Sequence, residues 1–157
     1  MTFFYVRFVL SWVCWVLFAD KKRWKEIFPV CIFASFLSLI ADQIVYFYIT
    51  YWEYYGFEPT IIRNLMDDFG VYMVVTYLFI QWLPQKQTFI RMFSYWFAWA
   101  ALAITIEYVH LITGHMAHYN GWSLWHSYVS DWILYWIFYQ YHKIFQLEKL
   151  SKKCNLI

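Results

Sequence analysis

Long apolar stretches, separated by short polar segments, run along the whole chain. A helix needs about 20 such residues to cross the hydrocarbon core of a bilayer, which is roughly 30 Å thick. Pro84 should end the third stretch, because proline cannot continue the interior of a helix. The pattern predicts five membrane-spanning helices, at about residues 3–19, 27–49, 64–83, 92–112 and 122–142.

The composition agrees with a membrane protein rather than a soluble domain. Of the 157 residues, 63% are hydrophobic, 27% are aromatic and only 14% are charged, whereas an average soluble domain has about 25% charged residues. We therefore expect residues 1–157 to form one all-α, polytopic membrane domain. A net charge of +2 without an Arg-rich stripe gives no reason to expect a nucleic-acid partner. The lipid bilayer is the expected partner, and a homo-oligomer is left open.

Two simpler interpretations of the sequence are set aside. The first apolar stretch has no basic segment before it and no small-x-small cleavage site, so we expect a retained helix rather than a signal peptide. The three cysteines, Cys14, Cys31 and Cys154, show no Cys-x-x-Cys spacing. This arrangement argues against a disulfide framework and against a thiolate metal site.

Lysine and arginine concentrate on one side of the predicted five-helix arrangement. Ten of the twelve fall in the segments "DKKRWKE" and "PQKQTFIR" and in the C-terminal tail, which leaves Arg7 and Arg63 on the opposite side. By the positive-inside rule, this asymmetry predicts an N-terminus outside and a C-terminus in the cytoplasm. The outer loops would then be "YWEYYGFEPT" and "GHMAHYNGW".

Ionisable residues inside the apolar stretches cluster toward the predicted outer side. Charged groups at membrane depth are costly, so they usually face the interior of the helix bundle and find partners there. Glu107 and His110, in the segment "EYVH", are three residues apart and share one helix face. Tyr128, Asp131 and Tyr135 form a similar stripe on the fifth helix. We expect these two stripes to face each other.

The two stripes would form a polar cup that opens outward. Either Asp42 or the adjacent pair Asp67 and Asp68 would close the cup from the second or third helix. The candidate acid–base residues of this site are Glu107 and Asp131. Its candidate ligand-binding residues are Asp42, Asp68, His110, His126 and Tyr128.

Three classes of function fit such a cup, and the sequence leaves all three open. A binding protein would hold a small ligand, an ion or a lipid headgroup. A membrane-integral enzyme would act on a lipid or prenyl substrate, with one carboxyl kept protonated as the general acid and aromatic side chains stabilising positive charge. A structural membrane partner would use the acidic residues only to pair helices.

Metal binding is a variant of the first class. A Glu-x-x-His step is used twice in di-iron carboxylate bundles, because both side chains then reach one metal from a single helix. Here the step occurs once, and the spacing of His110, His115 and His118 matches no standard zinc or di-iron pattern. The metal ligands and any cofactor therefore stay undetermined.

The chain resembles a family of small five-helix integral membrane proteins from Gram-positive, spore-forming bacteria. The resemblance rests on the basic loop "DKKRWKE", an acidic position just before a third helix closed by Pro84, a Glu late in the fourth helix, and the Trp-rich "WSLWHSYVSDWILYWIFY". His115 and His118 depart from that family's pattern. Because the family has no established reaction, the resemblance implies a bacterial plasma-membrane location and no specific activity.

Overall fold

The computed structural model describes residues 2–55 and 59–154, and most of these residues are helical. The predicted all-α class is confirmed. The helices are α1 (Thr2–Phe18), α2 (Trp24–Ile44), α3 (Thr60–Met66), α4 (Met73–Gln81), α5 (Phe89–Ile112), α6 (Leu124–Ile144) and α7 (Glu148–Cys154).

Three irregular turns and two short strands complete the described residues. A 3₁₀ turn at Lys21–Arg23 leads into α2, and α2 continues into a wider π-type turn at Val45–Ile49. A second π-type turn, Asp67–Tyr72, joins α3 to α4 in one continuous helical segment and is called the π segment below. The strands are β1 (Trp52–Tyr54) and β2 (Met116–His118).

The predicted apolar stretches coincide with helices, and their boundaries differ by a few residues. The third begins at Thr60, four residues earlier than predicted, and ends at Gln81, three residues before Pro84. Asp67 and Asp68 therefore lie about two turns inside this segment rather than in its first turn, as the sequence had suggested. Neither α7 nor the two strands were predicted.

Two helices are long and apolar enough to cross a membrane, at Lys21–Ile44 and Phe89–Ile112. Phe3–Phe18 is a shorter apolar helix. The five membrane crossings and their orientation therefore stay predictions.

A small antiparallel sheet joins the loops that follow α2 and α5. Its register pairs Trp52 with His118 and Tyr54 with Met116. The Asn120 side chain donates from Nδ2 to the carbonyl of Ile49, 2.7 Å away, and so satisfies a carbonyl at the helix end that would otherwise lack a partner. The sheet thus holds the two loops together at one end of the helices, which we call the sheet end.

The opposite end is held by a buried carboxylate. Glu26, in the first turn of α2, is 1% exposed. It accepts hydrogen bonds from Arg23 at 2.6 and 3.0 Å and from Nε2 of His142, in α6, at 2.9 Å. Arg23 also donates to the carbonyl of Gln81 at the end of α4, 2.8 Å away. We call this end, which carries Lys21, Lys22 and Arg23, the basic end. Successive long helices therefore begin and end alternately at the basic end and at the sheet end.

The apolar core lies between α2, α4 and α6, with α5 packed on its side. Its most buried members come from several helices at once, since Ile27, Val30, Phe79 and Ile80 are fully buried and Phe138 is 2% exposed. Rings pack edge to face or offset within this core, for example Phe79 against Tyr135 at a centroid distance of 4.6 Å. Burial of such rings is the main contribution to packing between these helices.

Helix α1 approaches the π segment closely at a single glycine. Gly70 is buried, and a Cβ atom at this position would lie 2.6 Å from Cδ2 of Phe8. Real Cβ atoms do not come this near, so any side chain would push the two elements apart. The absence of a side chain at Gly70 therefore allows α1 to pack onto the π segment.

We expect Gly70→Ala to lower the thermal unfolding temperature in detergent. The clash should cost about 1–3 kcal/mol and should outweigh the gain of about 1 kcal/mol in helix propensity. In a Phe8→Ala background, which removes the clashing ring, the same change should be neutral or stabilising. Equal losses in both backgrounds would contradict the proposed contact.

Candidate functional site

A cavity lies at the sheet end, enclosed by α1, the π segment, α5, α6 and the two strands. Its volume is about 140 Å³. Tyr54 of β1 and Met116 of β2 line it from the sheet, and Tyr72, Tyr135 and Phe138 contribute aromatic wall. Its charged and titratable lining residues are Arg7, Asp67, Glu107, His110 and Asp131.

An ion pair between Arg7 and Asp67 connects α1 to the π segment. Nη2 of Arg7 lies 2.8 Å from Oδ1 of Asp67, and the two side chains are only 14% and 18% exposed. The hydroxyl of Tyr54 donates to the other carboxylate oxygen at 3.0 Å. Burial raises the pKa of Tyr54 well above its ordinary value, so the phenol stays protonated as a donor. Both oxygens of Asp67 are therefore engaged.

His110 holds Arg7 in place from the other side. Its Nε2 atom contacts Nη1 of Arg7, and its Nδ1 atom lies 2.6 Å from the carbonyl of Ile106. Arginine can only donate, so Nε2 must accept and the proton must sit on Nδ1, where it is donated to the carbonyl. His110 is thus assigned as the neutral Nδ1–H tautomer, with both ring nitrogens used by the protein.

The two candidate acid–base residues face the same cavity in different surroundings. Oε1 of Glu107 accepts from Nε2 of His118 at 2.7 Å and from Oγ of Ser127 at 2.6 Å. Asp131 lies close enough to Glu107 to interact with it electrostatically. Within residues 2–55 and 59–154, no hydrogen-bond donor reaches the Asp131 carboxyl. Glu107 is therefore held by the protein, whereas Asp131, which also lines the cavity, has no such partner among the described residues.

The cavity brings Glu107, His110 and Asp131 together, and Asp67 from the predicted Asp67–Asp68 pair closes it. Asp42 and Asp68 do not line the cavity. Asp42 is 9% and Asp68 1% exposed, and Oγ of Ser35, in α2, donates to the backbone carbonyl of Asp68 at 2.8 Å. Successive residues on a helix point about 100° apart. This rotation sends Asp67 toward α1 and its neighbour Asp68 toward α2.

His126 and Tyr128 also lie away from the cavity. His126 is exposed, and its Nδ1 atom is 2.9 Å from Oγ of Ser123 at the start of α6. Tyr128 packs against Trp125 and Trp132, with ring centroids 5.7 and 6.2 Å apart. Both side chains are explained by their local contacts at the surface of α6.

The arrangement of ligating side chains does not suggest a metal centre. In the part of the chain that the structure describes, no three His, Cys, Asp or Glu side chains are grouped so that they could hold a metal ion. The Glu-x-x-His step is split, because Glu107 bonds to His118 while His110 turns to Arg7. The two residues therefore serve separate networks.

The contacts of Arg7 and Tyr54 in the cavity were not predicted from the sequence. Arg7 does carry a sequence signal, because a charged residue within an apolar helix is a functional candidate by default. Tyr54 carries no comparable signal, because its position depends on the pairing of two loops 62 residues apart, in which Tyr54 lies opposite Met116. The hydrogen bond of His118, in a predicted outer loop, with Glu107 was not predicted either.

Comparisons with known proteins do not assign the chain to a family. No protein-family model, no curated protein and no solved structure matches the chain. The resemblance to small membrane proteins of spore-forming bacteria stays a prediction.

We expect Arg7→Gln to destabilise the protein by about 3 kcal/mol, because it leaves the carboxylate of Asp67 buried without its cation. The double variant Arg7→Gln/Asp67→Asn should recover much of that loss, since neither charge then remains. Arg91→Gln, at an exposed position of α5, is the matched control. Denaturant unfolding in detergent measures all three, and equal effects of the changes at positions 7 and 91 would refute the role of the pair.

Proposed function

We propose that this protein is a multi-pass plasma-membrane protein whose five long helical segments cross the bilayer. The support is a continuous apolar exterior. Exposed residues on α2 recur every four positions, at Phe28, Ile32, Phe36, Ile40 and Ile44, and α6 carries a matching row at Trp125, Val129, Ile133 and Trp136. Exposed apolar surface of this extent marks contact with lipid or with another protein.

In the proposed orientation the sheet end faces outward and the basic end faces the cytoplasm. The basic end collects Lys21, Lys22, Arg23, Lys25 and Lys86 near the ends of α1, α2 and α4. Such an excess of positive charge marks the cytoplasmic side. The cavity with Glu107 and Asp131 would then lie near the outer surface.

We expect labelling of single cysteines to reveal this orientation. In a variant whose native cysteines are replaced by serine, Tyr119→Cys at the sheet end should react with a membrane-impermeant maleimide on intact cells. Lys86→Cys at the basic end should react only after permeabilisation, although both positions are exposed. Reaction of both, or of Lys86→Cys alone, on intact cells would exclude the proposed orientation.

The ligand that best fits the cavity is a small organic cation. Three carboxyl groups and one guanidinium line the cavity, and Arg7 is already paired with Asp67. The carboxyl groups that remain in the lining are Glu107 and Asp131, and of these two Asp131 lacks a donor among the described residues. This unpartnered carboxyl is the observation that carries the proposal, because a cationic ligand would complete its interactions.

The aromatic wall of the cavity supports the same ligand class. Tyr72, Tyr135 and Phe138 line it together with Asp131. Aromatic faces attract ammonium groups within about 6 Å of the ring centroid, most strongly where water is excluded. A primary to quaternary amine could therefore combine an ionic contact with Asp131 and a cation–π contact with a neighbouring ring.

Cavity size separates this proposal from the enzymatic alternative. A volume of about 140 Å³ has room for about ten water molecules and lies below the range of roughly 300–1,000 Å³ that is usual for drug-sized ligands. A prenyl or lipid chain would not enter it without a rearrangement of the walls. A small amine fits, and so the binding function is favoured over chemistry on a lipid substrate.

A binding experiment on the purified, detergent-solubilised protein tests this function. We expect methylammonium or tetramethylammonium to raise the thermal unfolding temperature in a saturable way, whereas acetate should not. Asp131→Asn should remain folded and lose that response, and Asp20→Asn, an exposed residue at the basic end, should keep it.

Two results would contradict the proposed cation site at Asp131. If neither amine shifts the unfolding of the native protein and Asp131→Asn is strongly destabilised, Asp131 has a structural role in pairing helices. If the amine response is the same in Asp131→Asn as in the native protein, the cation binds at another place. Either outcome would rule out the proposed site.

A further inference from the structure

A second hollow lies at the basic end, away from the cavity just described. It is a groove between α1, α2 and α4 with a volume of about 460 Å³. Its walls are almost entirely apolar and largely aromatic, and the principal contacts come from Trp12, Trp15, Trp24, Phe28, Met73 and Tyr77. The volume lies within the range of pockets that hold organic ligands.

The groove opens toward the surroundings of the protein on the α2 side. Trp24 is 51% exposed and Phe28 is 44% exposed, although both line the groove. Deeper lining residues such as Met73, Tyr77 and Cys31 are buried. A ligand could therefore enter sideways between the helices.

One cation marks the mouth of the groove. Lys21 is the single charged residue of its lining, and the Nζ atom lies 5.7 Å from the centroid of the Trp15 ring. Lys22, in the same 3₁₀ turn, is exposed. The guanidinium of Arg23 binds Glu26 and the carbonyl of Gln81. An apolar groove with a positive mouth is complementary to a molecule with an apolar tail and an anionic head.

We propose that this groove binds one acyl chain of an anionic glycerophospholipid, with the lipid phosphate at Lys21. The inference rests on the proposed insertion in the membrane, but it concerns a different site from the cation cavity. At the cytoplasmic surface, where the basic end would lie, anionic headgroups attract lysine and arginine side chains. The phosphate would replace the aromatic ring as the nearest partner of the Lys21 ammonium.

The preference of the groove for an anionic lipid must come from the charge of Lys21 and from the shape of the groove rather than from hydrophobicity. Inside a bilayer, an acyl chain gains no hydrophobic free energy by leaving other lipid tails for a protein groove. The rigid indole walls supply a fitted surface, and Lys21 supplies the preference for an anionic headgroup. The prediction is therefore specific, since a zwitterionic lipid with the same tails should bind less well.

Native mass spectrometry of the full-length protein in detergent tests the inference. The protein is mixed with equimolar phosphatidylglycerol and phosphatidylcholine that carry identical chains. We expect one phosphatidylglycerol to remain bound in clear preference to phosphatidylcholine. Lys21→Gln should reduce that preference about fivefold, the effect of one cation near the headgroup region, and Lys21→Arg should retain it.

Lys86→Gln is the matched control, because it removes an exposed cation from the same end without touching the groove. If Lys21→Gln and Lys86→Gln reduce the preference for phosphatidylglycerol equally, that preference comes from the general positive charge of this end. This result would overturn the proposed site. Competition by inorganic phosphate would also overturn it, since the bound molecule would then be recognised as an anion without a tail. A doubled mass independent of lipid would assign the groove to a second copy of the chain.

Failure of this inference can be told apart from failure of the proposed membrane insertion. Alkaline carbonate treatment of cell membranes should leave an inserted protein in the pellet. If the protein stays in the pellet but shows no preference for phosphatidylglycerol, only the lipid site is refuted. If carbonate releases the protein, the insertion is refuted, and the lipid site is refuted with it.

Discussion

The cost of burying an unpaired charge constrains this structure more than any other interaction. Glu26 is almost fully enclosed at the basic end, and the Arg7–Asp67 pair is largely enclosed at the sheet end. Each is acceptable only because groups from other helices complete its hydrogen bonds. These two polar clusters therefore fix which helix ends meet, and the apolar core of aromatic and aliphatic side chains packs between them.

The two ends of the molecule consequently have different chemistry. At the sheet end, three carboxyl groups, one of them paired with Arg7, and several phenolic rings surround a small cavity, which suits a cation. At the basic end, a larger apolar groove has a lysine at its mouth, which suits an anionic amphiphile. The proposed outward and cytoplasmic sides thus correspond to opposite ligand charges, and each follows from residues that also establish the helix arrangement.

Hydrophobic patterning predicted the helices well, because long and predominantly apolar stretches leave few alternatives. It also placed Glu107 and His110 on one helix face, since residues three apart share a face. It did not show that Asp42 and Asp68 lie outside the cavity, because the rotation of a helix about its axis is set by its packing against neighbouring helices. The strands escaped prediction because pairing between loops so distant in sequence has no local pattern.

The neutral tautomer of His110 has a consequence for any molecule that enters the cavity. The guanidinium of Arg7 lies between an imidazole acceptor and a carboxylate, while Phe4 packs with its ring centroid 5.3 Å from the guanidinium carbon. The positive charge of the site is thereby immobilised before a guest arrives. Little conformational entropy then needs to be lost when a ligand binds. Because Arg7 is fixed by its contacts, its guanidinium does not turn toward Asp131 and compete with a bound cation.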